Sequence, residues 1–395
     1  MSPQFLKLEE IAETSSGGTP SRGNKAFYGG AIPWIKSGEL PDGEITEVEE
    51  SITQLGLEGS SAKLLPAGTL VIAMYGATVG KLGILTFPAA TNQAVCAIVP
   101  CEELHRDYLF YWLLAIRETL VDKSFGGAQP NISQTVIRDI DVPWINTDEQ
   151  KRVAGNIRAQ LAEVEKARQA AVWQLQDVAL LPTRILNEVF NDITGDTGTL
   201  NEVLVDIQAG KSFQTAETLA GPEELGVLKV SAVTWIEFRP SEAKALRDAY
   251  DPAESHRVKN RDFIISRANT KEFVGAVVLV DRDYPNRLLS DKTLRLVVDE
   301  RRVCKEYLLY AMRASMARRH IEHFATGTSD SMRNISHGTI TSIPLHLPEL
   351  NEQRLLAAQL QARLKHVTEV RSAIEAQLRE IEQLPNRILT QAFES

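Results

Sequence analysis

Glu149–Phe190 reads EQKRVAGNIRAQLAEVEKARQAAVWQLQDVALLPTRILNEVF, and Glu352–Phe393 reads EQRLLAAQLQARLKHVTEVRSAIEAQLREIEQLPNRILTQAF. The second stretch follows the first at a constant, ungapped offset of 203 residues. Gln150/Gln353, Leu161/Leu364, Arg168/Arg371, Leu175/Leu378, Pro182/Pro385 and Leu186/Leu389 stay in step. The offset is about half of the 395-residue chain, so the repeating unit is a globule followed by a long helix, present twice.

Within the repeat the apolar spacing is heptadic. Ile157, Val164, Ala171 and Val178 take d in the first copy, and Leu161, Arg168 and Leu175 take a. Leu360, Val367, Ile374 and Ile381 take d in the second, and Leu364, Arg371 and Leu378 take a. Strict 4-3 spacing predicts a coiled-coil seam, and the two copies most simply pair antiparallel with each other. Some 40 residues at a rise of roughly 1.5 Å make a rod on the order of 60 Å long. A polar residue at a fixes register at a cost in stability, so Arg168 and Arg371 each need an acid such as Glu165 or Glu375. Pro182 and Pro385 are expected to break or kink their helices, leaving R-I-L-x-x-x-F as a short amphipathic end. Periodicity alone is equally consistent with a structural bundle that only holds two domains together.

Working outward, the chain divides into a first globule at 1–148, a first repeat helix at 149–198, a second globule at 199–348 and a second repeat helix at 349–395. The expected fold class is mixed α/β (α+β): two pseudo-symmetric globules joined by a pair of long antiparallel coiled-coil helices. In the first globule, Ile32–Ile35, Thr69–Tyr75 and Ala94–Val99 read as strands. Lys81–Phe87 returns as a hairpin partner, and Asp107–Leu120 reads as an apolar helix. In the second, Gly226–Val230, Asp262–Arg267, Thr293–Val298 and the helix Lys305–Met316 take the corresponding places. Asn334-Ile335-Ser336 lies 203 residues after Asn131-Ile132-Ser133. The framework is kept and the loops differ, which suggests two different things being recognised.

Bulk properties bound the function. Hydrophobic content of 43% and charged content of 24% are ordinary for a globular protein, and no apolar run approaches the roughly 20 residues of a membrane span. No signal peptide is visible at MSPQFLKLEEIAE. Three cysteines, Cys96, Cys101 and Cys304, fit neither a disulfide framework nor a zinc spacing and point to a reducing cytoplasm. Net charge is −9. Residues 1–148 carry 10 Lys+Arg against 18 Asp+Glu, and residues 199–348 carry 21 against 20. Any nucleic-acid binding must therefore come from a local basic face.

No catalytic constellation emerges. Gly76-Ala77-Thr78-Val79-Gly80-Lys81 has three residues between its glycines and Leu82 after the lysine, whereas a phosphate-binding P-loop needs four and a Ser or Thr. A hairpin loop presenting Tyr75, Thr78 and Lys81 is the better account. Methyltransferase, nuclease and helicase signatures are missing. His320 and His323, one helical turn apart beside Arg318 and Arg319, read as a solvated or phosphate-facing basic edge rather than half of a metal site. No metal site is expected.

The polar loops suit DNA reading, because Arg pairs with guanine edges and Asn or Gln with adenine edges. In the first globule the suppliers are Thr19, Ser21, Arg22, Asn24, Lys25, Lys36, Tyr75, Thr78, Lys81, Gln129 and Asn131. In the second they are Lys211, Lys229, Arg267, Asn269, Lys271, Arg318, Arg319, Arg333 and Asn334.

Several motifs occur in a telling order. They are S-G-G-T-P-S at Ser16–Ser21, I-P-W-I at Ile32–Ile35, Y-G-A-T-V-G-K at Tyr75–Lys81, N-Q-A at Asn92–Ala94 and P-N-I-S at Pro130–Ser133. The twin E-Q…L-P-x-R-I-L helices follow. With them the chain resembles, over essentially its whole length, the specificity subunit of a type I restriction–modification system. The resemblance implies a non-catalytic reader of duplex DNA with two target-recognition domains, each reading half of a split, asymmetric site. The paired helices would set the unread spacer and dock two modification (methyltransferase) subunits. Those subunits would use S-adenosylmethionine, leaving no cofactor on this chain, and restriction (translocating nuclease) subunits would join the core. Half-sites one helical turn apart need domains held roughly 34 Å apart or more, which a rod of the expected length supplies. The second globule lacks G-G-T-P and Y-G-A-T-V-G. The alternative is a coiled-coil adaptor that joins two proteins without DNA specificity of its own.

Overall fold

The computed structural model describes residues 4–122, 131–193, 197–235, 237–247 and 252–394. Contacts divide the chain into two compact units. The first comprises Met1–Val172 and Ala376–Ser395, and the second Trp173–Glu375. Each long helix is therefore shared, giving one end to each unit.

The first unit is built on a five-stranded sheet in the order Ala12–Ser16, Val95–Pro100, Leu70–Ala73, Leu82–Leu85, Gly43–Ile45. Its centre is apolar on both faces, and every residue of Leu70–Ala73 and Leu82–Leu85 is buried. The expected hairpin is present, with Leu70 paired to Ile84 and Ile72 to Leu82. Beside it, Tyr28–Ile35 pairs with Glu50–Ile52 and, in parallel, with Ala90–Thr91. The helix expected over Asp107–Leu120 is two, Arg106–Ala115 and Arg117–Asp122, with Ile116 as the cap between them.

The second unit repeats the plan. Its main sheet runs Leu204–Ala209, Thr293–Val298, Phe263–Ser266, Val277–Leu279, the same order as the first four strands of the other unit. The smaller pairing recurs too, since Gly226–Leu228 pairs in parallel with Tyr284–Leu288. The helix expected to reach Met316 stops at Arg313. Ala314, extended and buried, turns the chain into a separate helix, Ser315–Phe324.

The long helices are Thr147–Asp192 and Leu350–Glu394. In the first unit Ile157 and Leu161 of one share a core with Leu389 and Phe393 of the other. In the second, Leu186 and Phe190 share a core with Leu360 and Leu364, and Arg363 pairs with Glu188 at 2.9 Å. Early turns of one helix meet late turns of the other in both units, so the pair is antiparallel. Three of the four d residues in the first copy and all four in the second are buried, while the a residues are half-buried or exposed. Arg168 and Arg371 take the acids expected of them, Glu165 at 2.7 Å and Glu375 at 2.9 Å.

Of the break or kink expected at the prolines, the break does not occur: Pro182 and Pro385 lie inside continuous helices. An interior proline costs about 3 kcal/mol. Burial beyond it offsets that cost at roughly 1.5–3 kcal/mol for each large apolar side chain. Leu186 and Phe190 are buried in the second unit, with Phe190 against the Tyr307 ring (centroids 5.5 Å). Leu389 is buried in the first, where Phe393 meets Tyr108 at 5.3 Å and Trp112 at 5.1 Å.

Candidate nucleic-acid interface

In the first unit the loop after Ala12–Ser16 is set by Gly17 and Gly18. A Cβ on Gly17 would lie 2.2 Å from the Thr91 carbonyl oxygen, and one on Gly18 would lie 2.3 Å from the Ala62 nitrogen, so only glycine fits at either position. The Gly18 carbonyl accepts from Trp34 Nε1 at 3.0 Å. This anchoring brings Thr19 to Gln93, whose Oε1 accepts from the threonine hydroxyl. The Gln93 carbonyl accepts from the Tyr75 hydroxyl, and Tyr75 bridges to Asn131. Thr19 and Tyr75 therefore both bond Gln93, which is not among the candidate side chains drawn from the sequence. Its signal in the sequence was the N-Q-A motif at Asn92–Ala94, a polar pair ahead of an apolar run.

The basic candidates of this unit fall into two groups. Arg22 packs 4.6 Å over the Tyr28 ring and 5.1 Å over the Trp34 ring and pairs with Glu50 at 2.6 Å. Lys36 reaches Glu49 at 2.8 Å and Glu50 at 3.1 Å. Hydrogen bonds from Arg22 and then Lys36 hold the Glu50 carboxyl below its usual range. These two cations are already compensated. Lys25 and Lys81 are exposed and have no ion pair among the described residues. Asn24 caps the turn Lys25–Phe27 through Ala26 N at 3.1 Å, and Ser21 is exposed. Gly76 and Gly80 have φ of 87° and 79°, and the loop leads into a strand rather than a helix. Thr78 therefore sits in a hairpin loop, with no helix N-terminus following to cradle a phosphate. Gln129 lies outside the described residues.

In the second unit Lys211 and Lys229 line one concavity with Lys244 and Lys292, two lysines absent from the sequence-based set. Lys229 pairs with Glu242 at 2.7 Å. Arg267 is half-buried and Arg319 exposed, each without a side-chain partner among the described residues. Lys271 is exposed near Asp330. Arg333 is tied to Asp330 at 2.8 Å and to the Gly327 carbonyl at 3.1 Å, and Asn334 pairs in the strand beside Ala268.

Two candidates are corrected. Asn269 is buried and spends its amide on the Val230 carbonyl and Ser266 Oγ, both at 3.3 Å, and its Oδ1 on Thr270 N at 2.9 Å. It holds backbone in place instead of facing solvent. Arg318 donates to the carbonyls of Val274 (2.6 Å) and Lys271 (3.2 Å) and to Glu322, and packs 4.6 Å over the Trp235 ring. Its guanidinium is consumed inside the unit. His320 faces the Thr339 carbonyl and Ser342 Oγ. No cluster of three or more metal-ligating side chains occurs among the described residues, and none of their helices is long and apolar enough to cross a membrane.

Residues 3–172 match the family of the type I restriction modification DNA specificity domain. That stretch of the chain is a type I specificity domain. Among similar proteins, the specificity subunit of the MjaIX enzyme of Methanocaldococcus jannaschii is 30% identical over 153 residues, 38% of this chain and 35% of that protein. That of the EcoEI enzyme of Escherichia coli is 25% identical over 178 residues, 45% and 30% of the two lengths. These matches span about a third of the relatives' own lengths. The EcoKI specificity subunit of Escherichia coli is 22% identical over 388 residues, covering 92% of this chain and 82% of that one. The fold is that of the HsdS subunit from Thermoanaerobacter tengcongensis, with a TM-score of 0.65, 18% identity and coverage of 99% and 96%. A chain from a structure describing complex assembly and conformational transition of the type I R-M system gives a TM-score of 0.71 at 17% identity, covering 100% and 98%.

Proposed function

We propose that this chain is the non-catalytic DNA reader of a type I restriction–modification complex, each unit reading one half of a split, asymmetric duplex site. The observation that carries the reading is one framework used twice, with different exposed polar side chains at the same end of the equivalent strand pair: Thr19 and Gln93 in one unit, and Lys211 and Lys292 in the other. A repeated scaffold bearing different hydrogen-bonding groups is what two different base sequences require. The antiparallel helices set the unread spacer and dock two modification (methyltransferase) subunits. Those subunits bind S-adenosylmethionine and carry out the methylation, and restriction (translocating nuclease) subunits complete the complex. The assembly works in the cytoplasm, in keeping with three free cysteines.

The test is to co-express the chain with its modification subunits and map methylated sites by sequencing the host DNA. One split motif is expected, together with a binding constant that falls steeply with salt as phosphate contacts are screened. Binding without sequence preference at any salt would refute it.

A further inference from the structure

One turn occupies the same place in both units. In the first unit Gly17 N donates to the Val95 carbonyl at 3.2 Å, and its Cβ position is closed by the Thr91 and Asn92 carbonyls. In the second, Gly210 N donates to the Ser290 carbonyl at 3.1 Å, and its Cβ position is closed by Leu289 and Ser290 backbone. The strands leaving the two turns are in the same register, with Ala73 paired to Val95 and Ser266 to Thr293. Counting back from those pairs places Asn92 with Ser290 and Gln93 with Asp291. The capping bonds agree: Asn92 Oδ1 accepts from Ala94 N at 3.1 Å, and Ser290 Oγ accepts from Lys292 N at 3.4 Å.

Gln93 and Asp291 are both exposed, and each stands on backbone that is held from several sides. Asn92 N bonds the Ile35 carbonyl at 2.9 Å, and the Gln93 carbonyl takes the Tyr75 hydroxyl. Ser290 N bonds Thr293 Oγ1 at 2.9 Å, and the Lys292 carbonyl takes Arg267 N at 2.9 Å. Gln93 Nε2 has no partner among the described residues, and neither has the Asp291 carboxylate. Yet Asp291 lines a concavity of about 280 Å³ together with Lys211, Lys229, Lys244 and Lys292.

A carboxylate in that position is repelled by DNA phosphates, which the lysines attract. What it can accept from at a duplex surface is the exocyclic amine of a base, and in the major groove the better match is cytosine N4, because adenine N6 lies beside the N7 acceptor, which a carboxylate cannot satisfy. Glutamine offers a donor and an acceptor together, which match adenine N7 and N6. An exposed polar group on a rigid turn is preorganised for such pairing.

Building on the DNA-reading function above, we propose that Gln93 and Asp291 are equivalent base-reading residues, one per half-site: Gln93 pairs with an adenine, and Asp291 accepts from a cytosine amino group.

The test uses the assembled complex with its modification subunits, measuring methylated motifs by sequencing and affinities on oligonucleotides varied one base pair at a time. Gln93→Ala should reduce discrimination at a single A·T position on the order of 10- to 100-fold and leave the other half-site unchanged. Asp291→Asn should turn the preference at one position of the second half-site from cytosine to adenine, because asparagine matches adenine. Lys292→Gln, as a control, should weaken all sequences alike and flatten the salt slope. A specific wild-type complex whose motif survives both Gln93→Ala and Asp291→Asn overturns this assignment alone. Equal loss at every position of a half-site also overturns it, since that marks a structural role; thermal melting of Asp291→Glu, which keeps the charge, separates unfolding from misreading. A wild-type complex with no sequence preference overturns the DNA-reading function itself.

Discussion

Gln150 and Gln353 are fully buried at the starts of the two long helices and make the same three hydrogen bonds. Gln150 Nε2 donates to the carbonyls of Glu103 (3.2 Å) and Ile145 (2.8 Å), and its Oε1 accepts from His105 N at 2.7 Å. Gln353 Nε2 donates to Arg302 (3.0 Å) and Pro348 (2.8 Å), and its Oε1 accepts from Cys304 N at 2.9 Å. Each amide ties its helix to the loop that opens the neighbouring apolar helix. Replacing either glutamine by leucine leaves three buried backbone groups unpaired, at about 1–3 kcal/mol each. Gln150→Leu should destabilise the first unit and Gln353→Leu the second, each by on the order of 3 kcal/mol or more. Hydrogen exchange resolved by unit is the suitable measurement, because a two-unit chain need not unfold in one step. Equal loss of protection in both units from one substitution would refute the local account.

Pro182 and Pro385 each deny the helix one backbone donor while Leu186 and Leu389 beyond them stay buried. Alanine restores the donor, so Pro182→Ala and Pro385→Ala should each raise stability, by up to about 3 kcal/mol. Chemical denaturation midpoints test this. A lower midpoint would mean that the helix needs its local distortion to seat Phe190 or Phe393.

Arg267 and Arg318 were alike in sequence and differ in structure. Arg318→Ala removes bonds to two carbonyls and the contact with Trp235, so it should lower the melting temperature and leave the recognised motif unchanged. Arg267→Ala should leave melting within about 0.5 kcal/mol and weaken binding at one half-site by about 1–3 kcal/mol if it meets a base edge. Lys81→Ala should do the corresponding thing at the other half-site through a phosphate, reducing the salt slope by about one. Oligonucleotide titrations at several salt concentrations, paired with melting curves, decide all three.

Arg261 lies 2.7 Å from Glu306, and that hydrogen bond is the largest of the effects holding the Glu306 carboxyl down at about 2 against an ordinary 4.5. A folded-state value below the unfolded one stabilises the fold above about pH 4.5. The contribution is lost as pH falls from there toward 2. Glu306→Gln should therefore lower stability at neutral pH and make the acid limb between those values shallower. An unchanged limb would show that the pair contributes nothing, as many exposed pairs do.

The heptads make the fold legible because a coiled-coil seam is a local, periodic property. Buried d residues, antiparallel pairing and acid partners for Arg168 and Arg371 all follow from spacing and charge along one segment. The strands Leu70–Ala73 and Thr293–Val298 were legible for a similar reason, being short apolar runs bounded by turn residues. The prolines misled because their local cost is set against burial of Leu186 and Leu389, which a residue-by-residue reading does not count.

Site residues were less legible. Asn269 and Arg267 stand two positions apart, yet one is buried against the Val230 carbonyl and the other reaches the surface. Arg318 and Arg319 are adjacent, but the helix turns one inward onto Trp235 and the other outward. Gln93 became a candidate side chain only when Thr19 and Tyr75, distant in sequence, were found on it.

Sequence alone determined that one globule-and-helix unit occurs twice, that the helices form a seam, and that the chain resembles specificity subunits. Repetition, period and motif order are written along the chain. Tertiary structure alone decided which polar side chains remain available to a ligand and which are consumed by the fold. Availability depends on the carbonyls, acids and aromatic rings that packing brings near each group, and those partners come from far along the chain.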